Sequence, residues 1–452
     1  MTQLLTAFKA YDIRGRIPGE INESLAYDIG RSYAAFVKPR RVAVGYDIRL
    51  SSPGLAAALK RGLMHSGADV YDIGLCGTEG SYFATFAENL DGGIMVTASH
   101  NPSDYNGMKF VREGARPISA DTGLKDMRAL IESARLPPKA GRPGREQRLD
   151  LREKYLAHLL GYVERSKLRK LKVVVNAGNG GAGLIVDQLE PHLPFEFIKV
   201  NHEPDGTFPN GIPNPMLAEN QAATGDIVRR SGADVGLAWD GDYDRCFFFD
   251  DAGQFIEGYY LVGLLAAAFL KNEPGARIVH DPRLTWNTVD IVRSLGGVPV
   301  LCKSGHAFIK QKMREVDGAY GGEMSAHHYF RRFSYCDSGM IPWLLVLQVM
   351  CESGQSLSAL VGERMRLFPA SGEINRQLHS EPAQILARVR AHYEPGCSSI
   401  DLTDGLSIEF REWRFNLRAS NTEPLVRLNV ESRGSEALMR DKTAELLEML
   451  DS

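Results

Sequence analysis

The chain contains 452 residues, of which 44% are hydrophobic and 24% charged, and its formal net charge is −3. These proportions are typical of a folded globular protein, and they exclude a disordered chain, a collagen-like repeat and a disulfide-rich miniature scaffold. The small acidic surplus provides no general footprint for nucleic acid. At roughly 150 residues per domain, the length alone predicts about three domains.

The first part of the chain alternates short apolar strands with amphipathic helices. Strands are predicted over residues 41–47, 68–74 and 92–97. A helix is predicted after Ser51, because serine caps helices and Pro53 suits a first helical turn. Alternation of this kind, which continues to about residue 365, predicts α/β layers with largely parallel sheets.

Composition changes along the chain divide it further. Residues 135–148 are rich in proline, glycine and charge, and are therefore predicted to form a linker. A helix near 150–165 then opens a second unit, and a turn at 250–253 opens a third. The remaining elements are predicted strands at 171–175, 234–239, 246–249, 276–280 and 298–302, and, after Pro369, strands at 407–415 and 425–430 with a helix at 435–450. The sequence therefore predicts four domains, at residues 1–140, 150–250, 251–367 and 368–452, the last of them α+β.

The cysteines and apolar stretches bear on the cellular compartment. The six cysteines are scattered without a C-x-x-C pair, so they predict neither a zinc site nor a disulfide framework. The N-terminus lacks the basic flank and apolar core of a signal peptide. The most apolar stretch, residues 259–270, is shorter than the ~20 residues of a membrane span and predicts a buried helix. We therefore expect a cytoplasmic protein with no membrane partner and no nucleic-acid partner.

A hydroxyl-bearing loop at residues 97–102 (TASHNP) directly follows an apolar strand. A serine at the end of a strand is well placed to project into a cleft, so Ser99 is a candidate nucleophile or phosphate carrier. The alternative for this loop alone is an ordinary capped turn. His100 is interpreted as a local hydrogen-bonding partner rather than a metal ligand.

An acidic loop at residues 240–245 (DGDYDR) lies between two predicted strands. At a spacing of two, the carboxylates of Asp240, Asp242 and Asp244 can converge on one side of an extended loop. Like charges so close repel unless a cation lies among them, and hard divalent cations prefer such oxygens. The loop therefore predicts a Mg²⁺ site, with a solvated acidic turn as the alternative.

Two further polar loops are suited to sugar and phosphate. In residues 321–328 (GGEMSAHH) the alternating Glu323, Ser325 and His327 could face one cavity, where glutamate and serine suit sugar hydroxyls. In residues 418–424 (RASNTEP) an arginine fork, hydroxyls and an amide could form a phosphate cradle, contributed by Arg418, Ser420, Asn421 and Thr422. A plain polar loop is the alternative in each case.

These four loops, in this order, resemble the α-D-phosphohexomutase family, whose members move a phosphoryl group between C1 and C6 of a hexose. Residues 8–15 (FKAYDIRG) and 303–306 (KSGH) match the same family, and the resemblance spans essentially the whole chain. Residues 322–330 (GEMSAHHYF) and 335–343 (YCDSGMIPW) are similar to bacterial phosphomannomutases, some of which also accept glucose phosphates. The Glu-Met-Ser triplet at Glu323 argues against the glucosamine mutases, which usually carry Glu-Gln-Ser there.

The resemblance implies an architecture and a set of roles. It implies four domains around a central cleft, three of mixed α/β type and a smaller C-terminal α+β domain. Ser99 is implied to be a phosphoserine, and Asp240, Asp242 and Asp244 to hold Mg²⁺ together with an oxygen of that phosphate. The implied contacts of the reacting phosphoryl group or the sugar are Arg14, Tyr11, Lys109 and Arg245, with Lys109 a candidate for acid/base work.

The resemblance also implies how a substrate is bound. Glu323 and Ser325 would bind the sugar O3 and O4, with His306 and His327 nearby. The phosphate that is not transferred would be held by Arg418, Ser420, Asn421 and Thr422. Arg283 stands where relatives often carry lysine, which keeps the charge but changes the hydrogen-bond geometry.

The implied reaction is the reversible interconversion of mannose 1-phosphate and mannose 6-phosphate, with glucose phosphates as alternative substrates. Phospho-Ser99 would form a hexose 1,6-bisphosphate, which is also the implied activator, and this intermediate would turn over before rephosphorylating the serine. The alternatives are a metal-dependent phosphatase, a non-catalytic sugar-phosphate sensor and, from residues 176–183 (NAGNGGAG), a nucleotide-binding enzyme. The oligomeric state is left open, with a monomer slightly favoured.

Overall fold

Residues 5–377, 381–419 and 425–451 are described by the computed structural model of the protein. The chain divides into two units, the first formed by Met1–Phe255 with Arg332–Glu352 and the second by Ile256–Arg331 with Ser353–Ser452. Each unit contains two β-sheets covered by helices.

The first sheet of unit 1 has the strand order β1-β5-β4-β2-β3-β7, with β6 paired to β5. Strands β2, β3, β4 and β7 run parallel, whereas β5 pairs antiparallel with β1, β4 and β6. The elements of this part are β1 (Ile13–Arg16), α1 (Glu23–Val37), β2 (Arg41–Tyr46), α2 (Ser52–His65), β3 (Asp69–Leu75), α3 (Thr78–Ala87), β4 (Gly92–Val96), β5 (Tyr105–Arg112), β6 (Arg116–Pro117), α4 (Leu124–Glu132) and β7 (Glu146–Arg148).

Local chemistry explains where the first helices begin. The side chain of Asn22 caps α1 by accepting a hydrogen bond from the Leu25 N–H. Helix α2 begins after Ser51 with Pro53 in its first turn, as the sequence predicts, but the Ser51 hydroxyl makes no cap hydrogen bond. It accepts instead from the Asn106 amide at 2.8 Å, because β5 brings that amide within reach.

One prediction about this part of the chain is wrong. The final residues of the predicted linker, Glu146–Arg148, form strand β7 and pair parallel with β3 at the edge of the sheet. All three side chains are exposed, so the segment lacks the apolar alternation by which a strand is recognised in sequence. An edge strand with solvent on both faces needs no apolar side chain.

The second sheet of unit 1 has β11, β10, β8 and β9 as neighbours in that order. Strands β10 and β11 form an antiparallel hairpin, and β8 lies parallel to both β10 and β9. The remaining elements of unit 1 are α5 (Arg152–Leu160), β8 (Lys172–Asn176), α6 (Ala182–Leu189), β9 (Glu196–Val200), α7 (Ala218–Ser231), β10 (Val235–Trp239), β11 (Cys246–Phe249), the start of β12 (Phe255–Ile256) and, later in the chain, β17 (Cys336–Asp337) and α11 (Ile341–Ser353). Trp343 of α11 packs edge-on against Trp239 of β10, which anchors this later segment in unit 1.

Unit 2 contains a mixed sheet and an antiparallel sheet. The mixed sheet has β14, β13, β15 and β16 as neighbours in that order, and its elements are α8 (Gly258–Asn272), β13 (Arg277–His280), α9 (Trp286–Ser294), β14 (Val298–Leu301), α10 (His306–Val316), β15 (Tyr320–Gly322), β16 (His328–Phe330) and α12 (Leu357–Leu367). The other sheet has the order β18-β22-β21-β20-β19, and its elements are β18 (Ile374–Gln377), α13 (Pro382–Tyr393), β19 (Ser399–Asp401), β20 (Leu406–Glu409), β21 (Trp413–Ala419), β22 (Leu425–Ser432) and α14 (Glu436–Asp451).

The single strand predicted over residues 407–415 is in fact two strands, β20 and β21. They are joined by a tight turn in which the Phe410 N–H donates to the Trp413 carbonyl at 2.8 Å, with Arg411 and Glu412 exposed at its tip. Apolar residues alternate on both sides of the turn, but their phase shifts across Arg411 and Glu412, and no glycine or proline marks the reversal in the sequence.

The predicted α/β class is confirmed: the described residues form four sheets, of which the one in the C-terminal part is all antiparallel. The first three sheets mix parallel and antiparallel pairs, so the expectation of largely parallel sheets is corrected. In the described part of the chain there is no disulfide. Across the same residues no single helix is long and apolar enough to span a membrane; only α11 and α12 counted together meet that test.

Candidate active site

The Ser99 loop and the acidic loop meet within unit 1. Ser99 follows β4 in the left-handed backbone region, with φ at 48°, and is 4% exposed. Its Oγ donates to Asp240 Oδ2 at 2.9 Å and lies 3.0 Å from His100 Nδ1. A backbone conformation that costs on the order of 1–3 kcal/mol is typical of functional positions. The structure thus joins two of the sequence-predicted loops through one hydrogen bond.

The three aspartates converge in the turn of the β10–β11 hairpin. One carboxylate oxygen from each of Asp240, Asp242 and Asp244 lies within 4.8 Å of the other two, and all three residues are buried. Tyr243, between the last two, has φ at 46°, which lets the turn fold back on itself. This convergence agrees with the spacing argument made from the sequence.

Two cations offset part of the negative charge of the three buried aspartates. Lys109 of β5 donates to Asp242 Oδ2 at 2.7 Å and to Asp244 Oδ2 at 2.6 Å. Arg245 donates to Asp240 Oδ2 through Nε at 2.9 Å and Nη2 at 2.7 Å. These pairs place the predicted residues Lys109 and Arg245 directly against the acidic turn.

Burial and charge act in opposite directions on these groups. Burial raises the pKa of Asp240 and raises that of Asp244 further, since the Asp242 carboxylate also lies beside it. For Asp242 the effect of burial is outweighed by the Lys109 ammonium, which lowers its pKa. Burial lowers the pKa of Lys109, but the two carboxylates raise it by more, so the ammonium stays charged.

The acidic turn fits a divalent cation. Asp242 Oδ1 is buried and has no hydrogen-bond partner among the described residues, which leaves a desolvated carboxylate oxygen available. Carboxylate oxygens are the ligands that Mg²⁺ prefers, and Mg²⁺ commonly takes only a few from the protein. The residues that could hold it are Asp240, Asp242, Asp244 and Ser99.

The N-terminal motif adds a third cation near Ser99. Arg14 of β1 donates to Asn101 Oδ1 at 2.6 Å, inside the Ser99 loop, and pairs with Asp12 at 2.6 Å. Tyr11 lies in the turn before β1 and is half-buried. The antiparallel pairing of β1 with β5, in which Arg14 faces Gly107, brings this motif to the loop.

Sequence reasoning missed Arg49, which holds the Ser99 loop in place. Its guanidinium donates to the backbone carbonyls of Ser99 at 2.8 Å, Asn101 at 2.6 Å, Pro102 at 2.7 Å and Tyr105 at 3.1 Å. Arg49 is 2% exposed, and such a buried guanidinium needs several acceptors. The available signal was a charged pair, Asp47 and Arg49, directly after the buried strand β2.

A second polar cluster lies in unit 2 and brings together the residues of the GEMSAHH loop. Buried Glu323 accepts hydrogen bonds from the Gly305 N–H at 2.8 Å and from the Tyr329 hydroxyl. His327 Nδ1 lies 3.6 Å from Glu323 and 3.4 Å from Ser325 Oγ. The three alternating side chains therefore do face one another.

Arg283 joins the same cluster from the loop after β13. It donates to Ser325 Oγ at 3.2 Å and to Glu323 at 3.4 Å, and Asp281 holds it through Nε at 2.7 Å. His306 is the first residue of α10, directly after the Gly305 that contacts Glu323.

Three arginines pair with the carboxylate of Glu373. The sequence analysis did not identify this glutamate. Glu373 accepts from Arg418 at 2.9 Å and Arg283 at 3.4 Å, and lies 3.7 Å from Arg427. Burial raises the pKa of Glu373, but the three guanidinium groups outweigh it and lower the pKa to about 2. Arg418 and Arg427 face each other across β21 and β22, a like-charge pairing that calls for a counter-ion. Ser420, Asn421 and Thr422 lie outside the described residues.

Four family models, all described as phosphoglucomutase/phosphomannomutase domains, match the chain in succession. They are alpha/beta/alpha domain I at residues 5–136, domain II at 153–253, domain III at 257–368 and the C-terminal domain at 373–449. The chain belongs to the phosphoglucomutase/phosphomannomutase family. The resemblance seen in the four loops is confirmed.

Relatives and a solved structure agree with this family assignment. The chain is 60% identical over 457 residues to a phosphomannomutase of Escherichia coli, covering 100% of both chains. It is 61% identical over 449 residues to a protein of Xanthomonas campestris named phosphohexose mutases, covering 99% of both. A crystal structure of a phosphoglucomutase/phosphomannomutase family protein from Burkholderia thailandensis matches with a TM-score of 0.89 and 31% identity, over 98% of this chain and 96% of that one.

Membership of this family makes the protein an enzyme of the mutase class, an isomerase, as the sequence predicts. The phosphohexomutase family depends on magnesium, and the buried acidic turn is suited to it.

Proposed function

We propose that the protein is a phosphomannomutase that interconverts mannose 1-phosphate and mannose 6-phosphate through phospho-Ser99 and a hexose 1,6-bisphosphate. The observation that carries the proposal is the Ser99 hydroxyl, hydrogen-bonded at 2.9 Å to a cluster of three buried aspartates. Full-length relatives at about 60% identity that are named phosphomannomutase support the choice of sugar.

In the proposed reaction the Ser99 Oγ–P bond breaks as a bond forms between phosphorus and a sugar hydroxyl oxygen. The proton that the sugar hydroxyl loses is balanced by the proton that Ser99 Oγ gains. Phosphoryl transfer depends mainly on alignment and charge stabilisation, which Arg14, Lys109 and Arg245 supply as fixed cations. When bound by Asp240, Asp242, Asp244 and an oxygen on Ser99, Mg²⁺ would neutralise charge on the phosphoryl group. The buried surroundings strengthen each of these interactions because they exclude water.

The polar cluster of unit 2, formed by Arg283, Glu323, Ser325 and His327, supports a role in binding the sugar. We assign Glu323 and Ser325 to the sugar hydroxyls O3 and O4, with His306 and His327 beside them. Arg283 is held by Asp281, so its fork is oriented before substrate arrives. The phosphate that is not transferred is assigned to Arg418, Ser420, Asn421 and Thr422, and Tyr11 to substrate contact.

The proposal also covers the activator, the substrates, the cellular compartment and the oligomeric state. A catalytic amount of hexose 1,6-bisphosphate would keep Ser99 phosphorylated and so act as activator. The substrates are small hexose phosphates. Scattered cysteines without a disulfide framework favour a cytoplasmic location, and a monomer stays slightly favoured.

A dual-specificity enzyme that also interconverts glucose 1-phosphate and glucose 6-phosphate is the second candidate. It is favoured by the Xanthomonas campestris relative, 61% identical and named phosphohexose mutases without restriction to mannose. Mannose and glucose differ only at C2, and the residues assigned to O3 and O4 do not distinguish them.

The deciding experiment compares kcat/KM for mannose 1-phosphate and glucose 1-phosphate with Mg²⁺ and catalytic hexose 1,6-bisphosphate present. A mannose preference above about tenfold, roughly 1.4 kcal/mol of transition-state discrimination, establishes a dedicated phosphomannomutase. Nearly equal values establish the dual-specificity enzyme. Free phosphate formed as fast as the isomer, or no turnover of either sugar, overturns the proposal.

A further inference from the structure

The N-terminal end of helix α3 donates three hydrogen bonds to the acidic turn at residues 240–245. The Gly77 N–H donates to the Tyr243 hydroxyl at 2.7 Å, and the Thr78 N–H donates to the Asp242 carbonyl at 3.2 Å. The Thr78 hydroxyl donates to Asp242 Oδ2. Thr78 and Asp242 are 164 residues apart in the chain, and Thr78 is fully buried.

The helix can approach so closely because residue 77 is glycine. A Cβ at Gly77 would lie 2.4 Å from the Tyr243 ring and 2.5 Å from the Asp242 carbonyl oxygen. Since real side chains do not approach so closely, any larger residue would push α3 away from the turn. The contact between Thr78 and Asp242 therefore depends on the close packing of α3 against the acidic turn, which only a glycine at position 77 allows.

The two oxygens of Asp242 have different surroundings. Oδ2 accepts from Thr78 Oγ1 and from Lys109 Nζ at 2.7 Å. Oδ1 is buried and accepts no hydrogen bond within the part of the chain that the structure describes. The Thr78 hydroxyl also accepts from Lys109 Nζ at 3.1 Å, so Thr78 orients both partners of the ion pair. One oxygen is held by the protein and the other is left for a cation.

We propose that Thr78 is a positioning residue for Mg²⁺, which fixes the Asp242 carboxylate so that Oδ1 faces the ion. This inference rests on the metal role in the proposed function. Groups that hydrogen-bond a metal-ligating carboxylate orient it and tune its affinity, and their loss typically weakens metal binding 10–100-fold. Neither the sequence motifs nor their family resemblance assigned a role to Thr78.

The test measures the Kd for Mg²⁺ of the full-length protein by isothermal titration calorimetry, in its unphosphorylated form and in its phospho-Ser99 form. Thr78→Val removes the hydroxyl while keeping the shape, and we expect its Kd to rise at least about tenfold. Thr78→Ser keeps the hydroxyl and is expected to restore a Kd close to that of the wild type. Thr78→Ala is a second variant without the hydroxyl. Its Kd is measured instead if circular dichroism shows that Thr78→Val is not folded.

Thr85 provides a matched control in the same helix. It is also fully buried, and its hydroxyl donates to the Ser81 carbonyl at 2.7 Å, away from the aspartates. Thr85→Val should bind Mg²⁺ with the wild-type Kd. A wild-type Kd in the hydroxyl-free variants at position 78, or equal weakening in Thr85→Val, overturns this inference alone. No saturable Mg²⁺ binding by either form of the wild type overturns the metal role in the proposed function, and this inference with it.

Discussion

Ser99 combines an unusual backbone conformation with a specific hydrogen bond. Its φ of 48° lies in a region that favours glycine, and its loop is tied down by four hydrogen bonds from Arg49 to backbone carbonyls. The conformation persists because the surrounding contacts over-determine it. The hydroxyl is thereby held against Asp240, which is where the proposed reaction requires the phosphoryl carrier.

Ser99→Ala is expected to lower kcat for mannose 1-phosphate by at least about a thousandfold, because the acceptor oxygen is lost. Its free energy of unfolding should change by no more than about 1 kcal/mol, since one hydrogen bond is removed. Steady-state kinetics and urea unfolding measure the two quantities. Ser231→Ala, which removes a hydroxyl that donates to the Ile227 carbonyl, is the control and should keep full activity. A Ser99→Ala variant with wild-type kcat would contradict the carrier role.

Glu257 and Glu373 are neighbouring acids in different electrostatic surroundings. Glu373 faces three arginines, whereas burial and the nearby Glu373 carboxylate raise the pKa of Glu257 to about 7. Because the folded protein binds this proton more tightly than the unfolded chain does, Glu257 stabilises the fold below about pH 4.5. That contribution is lost as the pH rises towards 7.

Glu257→Gln removes this pH dependence. The wild type loses the contribution of Glu257 between pH 4.5 and 7, whereas the variant has none to lose. We therefore expect the free energy of unfolding of the variant minus that of the wild type to increase over this range by on the order of 1–3 kcal/mol. Urea unfolding across that range is the measurement. Glu394→Gln is the control, because a hydrogen bond from Arg390 lowers the pKa of Glu394, so its contribution is lost only below pH 4.5. If the difference in free energy of unfolding between Glu257→Gln and the wild type stayed constant from pH 4.5 to 7, the raised pKa of Glu257 would be disproved.

At the scale of elements, helices α1 and α2 pack through glycines. A Cβ at Gly62 would lie 2.1 Å from the Tyr27 carbonyl oxygen, and one at Gly30 would lie 2.4 Å from the Leu59 carbonyl oxygen. Backbone atoms cannot move aside as a flexible side chain can. The spacing of these two helices therefore depends on the absence of side chains at both positions.

Gly62→Ala should lower the free energy of unfolding by about 1–3 kcal/mol, since the added methyl group overpacks the helix contact. Gly54→Ala in the same helix is the control. Its Cβ would meet only the far end of the Glu23 side chain, at 2.9 Å, so stability should be kept or slightly increased. Urea unfolding of both variants distinguishes crowding from a general effect of alanine. Equal stability of the two would show that the helix spacing is not glycine-dependent.

The elements also show which features of the fold a sequence pattern can reveal. Strands β2, β4, β8 and β10 were predictable because each is a short run of buried apolar residues. Strand β7 was missed since all of its side chains are exposed, and β20 and β21 were merged because no glycine or proline marks the turn between them. For β7 the information lies in its pairing partner β3, which is distant in the chain, whereas for β20 and β21 it lies in the shift of the apolar alternation across the turn.

At the scale of the whole molecule, the buried acidic turn has counter-charges from the protein itself. Lys109 of β5 and Arg245 neutralise part of the charge of the three aspartates, so we expect the fold to be kept without a bound cation. This differs from small metal-dependent domains, in which the apo chain is unfolded.

Removal of Mg²⁺ by chelation should therefore abolish turnover and leave the secondary structure intact. Activity should return when Mg²⁺ is added in excess of the chelator. The thermal unfolding midpoint should fall only by the amount expected from lost ligand binding, which depends on the Mg²⁺ concentration relative to its Kd. Circular dichroism, melting curves and activity before and after chelation are the measurements. Loss of the far-ultraviolet signal on chelation would contradict this account.

The α/β class, the order of the four polar loops and the candidates Ser99, Asp240, Asp242 and Asp244 could all be recognised from the amino-acid sequence. These features are local, because a strand followed by a polar loop consists of residues adjacent in the chain. Three contacts came to light only when the chain was seen folded: Arg49 holds the Ser99 loop, Glu373 pairs with three arginines, and the Thr78 hydroxyl donates to Asp242. The Thr78–Asp242 contact spans 164 positions in the sequence. Such contacts arise when strands and helices pack, and the spacing of residues along the chain carries no record of them.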